Sequence, residues 1–516
     1  MTDTAICWFR TDLRLHDNPT LAAAADADEL LPVYVFDPYW FGAADYGGPA
    51  SFTYRKCGTH RARFLRESVA DLRASLRERG SDLVVRDGDA ATALSTLADA
   101  VGADTVHLAT HPAPEERAIE RRVRDALADD GVAVETHWTH TLHHVDDLPS
   151  GVEGVDDTFT PFKQSVENDS RVRETVAEPS PPSLPGPVDV GDLPTITDLL
   201  GAADGDERER LDRWPEPDGA DRVEAETTDD ETADDRAVLL FVGGETRALE
   251  RLAEYVWERD RLREYKETRN GLLGADYSSK LSPWLAAGCL SPRRVYEEVE
   301  RYEAERVAND STYWLVFELR WRDFFAFQTA KHGATLFRPG GIRGRDDLQW
   351  RRNEGAEADF RAWARGETGI PFVDANVREL NATGYMSNRG RQNVASFLAN
   401  DLGVDWRWGA AYFETRLADH DPGSNYGNWA YVAGVGNDSR DRSFDVLWQA
   451  HNYDADAEYV AHWVPELASL AAADPDAAHE PWAADEATLA DAGVTLGETY
   501  PEPMVDPDAV DGWGED

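Results

Sequence analysis

The residues best suited to chemistry lie between positions 368 and 429. There Asn388, Arg391, Asn393, Asp419, Asp421 and Asn425 fall among helix-forming apolar positions, with Trp406 and Trp429 close by. Polar side chains on core-facing helices cost free energy unless each finds a partner. A heteroaromatic cofactor rich in donors and acceptors would partner them, and the tryptophans suggest electron traffic as well as packing. A second cluster, Ser278, Ser279, Leu281 and Ser282, precedes a helix expected to begin near Pro283. Free N–H groups beside hydroxyls at a helix start can cradle phosphate, or the serines can simply cap the helix. A third cluster places Glu318 and Arg322 four apart on one helix face, with Trp321 between them. That pattern fits a surface ion pair beside a core tryptophan as well as it fits a pocket.

The elements that must position these residues divide the chain. Its 516 residues allow two to four domains with real cores. Short β-rich apolar runs at 5–9, 31–36, 83–85, 105–108 and 132–138 alternate with helical patterns at 61–79 and 114–127. Alternation of that kind predicts a doubly wound parallel sheet, an α/β N-terminal domain over 1–138. No GxGxxG follows the first strand, so the dinucleotide fingerprint is absent. Residues 139–238 read as an inter-domain connector, with prolines at 179–187 and an acidic, disordered insert at about 204–235. Helical periodicity over 239–470 predicts an all-α C-terminal domain. The tail, 471–516, is rich in Ala, Asp and Pro and is expected to be weakly structured, apart from HEPW and YPEPMVD.

Composition limits the partners. Net charge is −47, and only five lysines occur, so arginine carries nearly all the positive charge. Bulk charge opposes phosphate binding, which needs clustered Lys/Arg. An acid-coated, lysine-poor globular chain suits a high-salt cytoplasm, where self-repulsion is screened; an acidic interaction protein is the alternative. Cys7, Cys57 and Cys289 lie far apart without metal spacing and read as buried apolar residues of a reducing compartment. The N-terminus lacks a basic n-region and no stretch reaches 18 apolar residues, so neither a signal peptide nor a membrane span is expected.

Particular runs resemble the photolyase/cryptochrome superfamily. They are ICWFRTDLRLHDNPTL at 6–21, YKETRNGLLGADYSSKLSPWLAAGCLSPR at 265–293, VFELRWRDFF at 316–325 and DHDPGSNYGNW at 419–429. GYMSNRGRQNVASFLANDLGVDWRWGAAYFE, at 384–414, resembles the cryptochrome DASH branch in particular. The likeness spans nearly the whole chain outside the acidic insert. It implies an FAD held by Tyr265, Ser278, Ser279, Leu281, Ser282, Arg322, Asn388, Arg391, Asp419, Asp421 and Asn425. In that reading Arg322 lies near the phosphates, Arg391 pairs with Asp419, Asp421 accepts from flavin N3–H and Asn425 faces N5. Trp429, Trp406 and Trp350 would form an electron chain from flavin to surface.

The same resemblance implies light-driven splitting of cyclobutane pyrimidine dimers by electron transfer from excited FADH−. Glu318, Trp321, Asn388, Gln392 and Tyr431 would form the dimer pocket, with Trp321 stacking on the flipped bases. Gln392 and Tyr431 stand where duplex-repairing photolyases carry methionine and tryptophan. That is the DASH pattern, and it favours single-stranded or looped DNA. SNRGRQN lacks the paired histidines of (6-4) photolyases. Arg269, Arg389 and Arg442 look like DNA-facing arginines. Glu115 and Glu116 resemble an acidic pair that helps hold a folate-type antenna such as methenyltetrahydrofolate; a deazaflavin antenna stays open, as does first-turn helix stabilisation by the pair. A monomer is expected. A blue-light sensor that binds nucleic acid without repair remains the alternative function.

Overall fold

The computed structural model describes residues 3–45, 53–201, 234–438 and 443–507. Five strands, Thr4–Phe9, Glu29–Phe36, Val84–Asp87, Thr105–Ala109 and Ala133–His137, form one parallel sheet. They coincide with the expected runs to within two residues. Thr4–Phe9 lies at the centre, flanked by Glu29–Phe36 and Thr105–Ala109, with Val84–Asp87 and Ala133–His137 at the edges. Strand order therefore reverses between Thr4–Phe9 and Thr105–Ala109, the point where doubly wound sheets open a crevice at their carboxyl ends. Apolar side chains leave the central strands on both faces, Cys7 and Phe9 to one side and Ile6 and Trp8 to the other, as a sheet covered by helices on both faces requires. The three cysteines are buried and free.

The second part is helical, from Glu245–Ala253 onward. The loop of Arg10, Asp12, Arg14 and Asp17 seats the sheet domain on it. Buried Arg14 donates to the carbonyls of Asp17 and Gly288, and Glu245 accepts from the backbone N–H groups of Leu15 and His16. Asp17 pairs with Arg293. Gly288, at φ +73, lets this approach occur: a Cβ there would meet the Thr11 carbonyl oxygen at 1.8 Å.

The connector is more ordered than its composition suggests. Helix Phe159–Asp169 buries Phe159, Phe162 and Val166 against Phe324, Phe325 and Phe327 of the long helix Asp310–His332. Beyond it, Leu30 N–H donates to Ser183 and Val85 N–H to Val190, so the chain returns along the sheet domain. Nearly all of the acidic insert expected at 204–235 lies outside the described residues.

The tail departs from expectation. Helices Pro475–His479 and Glu486–Ala492 lie beyond residue 470, while Tyr500, in the YPEPMVD run excepted from that expectation, is buried with its hydroxyl donating to Asp374 at 2.6 Å. Asp474 and Asp485 are N-caps and Pro475 a first-turn residue. The residues that read as breakers are helix-start signals instead. No helix among the described residues is long and apolar enough to cross a membrane.

Candidate functional site

Helices Asn388–Ser396, Trp406–Arg416 and Pro422–Val432 line a cavity of about 80 Å³. Asn388, Arg391, Gln392, Asp419, His420, Asp421, Asn425 and Trp429 line it, so residues spread over 42 positions of sequence meet on one wall. Asp419 accepts from Arg391 at 2.8 Å and from the Ser282 hydroxyl at 2.6 Å, while its Oδ1 is buried without a protein partner. The Arg391–Asp419 pair is thus formed, and Ser282 joins the phosphate-type loop to it. Burial opposes the Arg391 charge, but Asp419 wins and raises its pKa.

Asp421 caps helix Pro422–Val432 by accepting the Ser424 N–H at 2.7 Å. Its Oδ2 lies 3.2 Å from His140 Nε2 and 3.7 Å from His111 Nε2. Burial would raise this carboxyl, yet the two histidines and the nearby Arg322 hold it well below the usual range. Burial, with Arg322 and His111 beside it, pushes His140 down to about 3. His140 is therefore a neutral imidazole. Its Nδ1 accepts from Arg322 at 3.1 Å, which places its proton on Nε2, facing Asp421. Asp421 is left as an ionised, acceptor-only group.

Arg322 was expected beside phosphates. Its guanidinium is instead taken up by the His140 carbonyl and ring and by the Leu285 carbonyl, and it does not line the cavity. It supports Asp421 from behind. Glu318 does not pair with Arg322 either; it takes Arg269 at 2.6 Å. Burial raises the Glu318 carboxyl and Arg269 opposes that rise.

Asn425 donates its amide N–H to the Ala410 carbonyl at 2.9 Å. That bond orients the amide and leaves its oxygen as the group for the cavity. Asn393, also buried, donates to the Arg389 carbonyl and does not line the cavity. Trp429 is 2% exposed, edge-on to Phe413 at 5.1 Å and to Trp363 at 6.1 Å. Its Nε1 has no protein partner. Trp406 and Trp350 both donate their indole N–H to the Pro339 carbonyl at 3.1 Å, which holds the two rings on one oxygen. Trp406 is fully buried and Trp350 partly so, an inside-to-outside order. Gly409, three residues after Trp406, lies under the Trp429 ring: a Cβ would meet its Cη2 at 2.1 Å. Gly409→Ala should therefore displace Trp429 and cost about 1–3 kcal/mol of overpacking, read as a lowered urea midpoint; an unchanged midpoint would show that the ring has room to move.

The loop before helix Ser282–Ala286 is pinned by Arg251, which donates to the carbonyls of Ala275 and Ser279. Within it Lys280 adopts φ +54, and its ammonium lies over the rings of Tyr277 and Tyr385 at 3.8 and 4.4 Å. Burial lowers Lys280 to about 7. Tyr265 is buried beside Glu318, and both burial and that carboxylate raise its hydroxyl.

A second group surrounds Trp321 and Arg389, the latter bonded to Gln392 of the cavity wall. Trp321 stacks on Phe159 at 3.6 Å and 7°, and meets Tyr431 edge-on at 6.2 Å. One face of Trp321 is thus already covered. Arg389 donates to Gln392 and to Asn270, both at 3.2 Å, and its guanidinium covers Tyr453 at 4.6 Å. Arg269 lies over Trp314 at 4.3 Å. Arg442 lies outside the described residues.

A larger cavity of about 130 Å³ opens at the carboxyl ends of strands Thr4–Phe9 and Glu29–Phe36, by the switch point. Trp8, Tyr34, Trp40, Arg10 and Glu116 line it, and it meets the first cavity at His420 and Asp421. The expected acidic pair splits here. Glu116 lines the cavity and pairs with Arg10, whereas Glu115 turns to Lys56 at 2.7 Å and is half-exposed. His111, His140 and His420 went unremarked in the sequence; the adjacency of His420 to Asp421 was the available signal.

A parallel-sheet domain joined to a helical domain with a polar cavity walled on one side by Trp429 is the architecture of a photolyase-type protein. Residues 5–184 match the DNA photolyase family and residues 314–511 the FAD binding domain of DNA photolyase. Cryptochrome DASH of Natronomonas pharaonis is 56% identical over 98% of this chain and 99% of its own. The Gloeobacter violaceus cryptochrome DASH is 46% identical over 98% and 93%. Among solved structures, the Synechocystis sp. PCC6803 cryptochrome superposes with a TM-score of 0.86 at 41% identity, covering 98% of this chain and 96% of that one. An archaeal photolyase from Sulfolobus tokodaii, solved with two FAD molecules, gives 0.72 at 26% identity, covering 98% and 96%. The chain belongs to the photolyase/cryptochrome superfamily, in its cryptochrome DASH branch.

Proposed function

We propose that this protein splits cyclobutane pyrimidine dimers in DNA with light, acting best on single-stranded or looped DNA. The observation that carries the reading is the pairing of an aromatic corner, Trp321 edge-on to Tyr431, with a cavity whose wall includes Asn388 and Gln392. The residues present fit FAD. Asp419 Oδ1 and His420 Nδ1 are buried without protein partners. Ionised Asp421 suits a ring N–H donor. The Asn425 oxygen suits a protonated ring nitrogen, which favours the reduced state. Reduced FAD bound here would supply, on excitation, the electron that splits the dimer. The protein's own part is positioning and electrostatics. Arg391 and Asp419 fix the loop of Ser278–Ser282, the His140–Asp421 bond holds an acceptor in place, and Phe159 keeps Trp321 flat for stacking.

Trp350, Trp406 and Trp429 are proposed to carry electrons inward from the surface. The larger cavity is proposed to hold an antenna chromophore, folate-type or deazaflavin. Its aromatic walls suit a planar ring, and the Arg10–Glu116 pair suits a polar edge.

Stacking against an aromatic face contributes about 1–3 kcal/mol per base, comparable with the few kcal/mol needed to extrude a nucleotide. Tyrosine at 431 and glutamine at 392 weaken that compensation, and single strands need less of it. Splitting of thymine dimers by pre-reduced protein should be at least about fivefold faster in single-stranded than in duplex oligonucleotides, with a narrower gap in Tyr431→Trp. Equal rates would remove the strand preference and leave the lyase reading standing. No splitting on either, with the flavin confirmed reduced, would turn the assignment to a blue-light sensor, which the weakened pocket also suits.

A further inference from the structure

Among the described residues, Trp448 is the most exposed large hydrophobic side chain, at 51%. Helix Val446–Tyr453 buries Val446, Leu447 and Ala450 and turns Trp448 outward. Asp445 caps that helix by accepting the Trp448 N–H at 2.8 Å, so the backbone holding the indole is fixed. About half of this large aromatic side chain faces water, on a chain of net charge −47.

Its surroundings connect it to the site. Tyr453 meets Trp448 edge-on at 6.4 Å. Arg389 covers Tyr453 and donates to Gln392, which lines the flavin-type cavity. Contacts therefore link the cavity wall to the exposed indole in the order Gln392, Arg389, Tyr453, Trp448.

We propose that Trp448, at the outer end of this chain of contacts, is a stacking platform for an unpaired base flanking the dimer, with Tyr453 buttressing the indole edge-on. The proposal rests on the function proposed above and assigns it a specificity residue outside the pocket. Stacking suits this protein better than phosphate contacts do. Phosphate affinity falls steeply with salt and is opposed by the acidic surface, whereas every base offers a π face whatever its sequence. In a duplex those faces are already stacked on their neighbours, so the platform selects single strands. A protein partner would need a broad apolar surface; Trp448 is flanked by Asp445 and exposed Asn452.

The test measures binding of undamaged oligothymidylate to the full chain, single-stranded and as a duplex with oligodeoxyadenylate, at low and high KCl. Trp448→Ala should weaken single-strand binding at least about fivefold, with little change for duplex. The same ratio should hold at both salt concentrations. Trp448→Phe should retain most of the affinity, and in repair assays the loss should fall on KM rather than kcat. Unchanged single-strand affinity in Trp448→Ala would overturn the proposal. So would an equal loss on duplex, or a self-association of the native protein that the substitution abolishes. If the native protein splits no dimers while Trp448 still controls strand binding, the lyase reading fails and the platform stands.

Discussion

In Trp429→Phe, blue-light reduction of the bound flavin is expected to fall to near background, while dimer splitting by chemically pre-reduced protein largely survives. Trp429 is the one tryptophan of the three that lines the flavin-type cavity, so in the proposed chain the last step to the flavin falls to it. Phenylalanine keeps most of the apolar packing against Phe413 and Trp363 but is far harder to oxidise. The indole Nε1 has no protein partner to lose, so the substitution leaves no orphaned group behind. Steady illumination with an external reductant, followed by visible absorbance, reads the result. Photoreduction at the native rate would show that electrons arrive through another route, and would remove Trp406 and Trp350 from the chain as well.

Lys56→Met is expected to destabilise the protein by about 3–5 kcal/mol, since it breaks a buried ion pair by removing one partner. Lys56 lies between Glu115 at 2.7 Å and Glu414 at 2.9 Å and is itself 1% exposed. Glu414 comes from helix Trp406–Arg416, so the pair joins the sheet domain to the helical domain. Burial alone would raise the Glu414 carboxyl; Lys56, with His420 and Arg61 nearby, brings it well below its ordinary value of 4.5. A depressed carboxyl contributes stability that is present above the unfolded value and lost as pH falls through the folded one. The native protein should therefore lose stability below about pH 4.5, and Lys56→Met should flatten that limb. Urea titration from pH 3 to 7 measures both effects. High salt should change the difference little, because a buried pair is poorly screened. Lys56→Met combined with Glu414→Gln should recover much of the loss. An undiminished midpoint in the single variant would show that Glu414 is carried by Tyr54 and Tyr426, whose hydroxyls it also accepts at 3.3 and 2.8 Å.

The sequence by itself determined the two-part architecture and the centre of the site. The apolar runs marked the five strands because central parallel strands are apolar on both faces and cannot hide that composition. Asn388, Arg391, Asp419, Asp421 and Asn425 were legible because polar residues among apolar, core-forming positions demand partners, and helices Asn388–Ser396 and Pro422–Val432 with the loop before the latter bring them to one cavity. What the tertiary structure alone decided is which group answers which. Arg322 reaches His140, 182 positions away, rather than Glu318 one turn back. Glu115 and Glu116, neighbours in sequence, part to Lys56 and Arg10. Phe159, from a segment that read as linker, backs Trp321. The capped helices after residue 470 hold Tyr500 against Asp374, 126 positions earlier. Each of these pairings crosses a domain boundary or joins elements far apart in sequence. Local periodicity reports only which face of an element is apolar; the docking of the sheet on the helices sets which charges then lie within reach of one another.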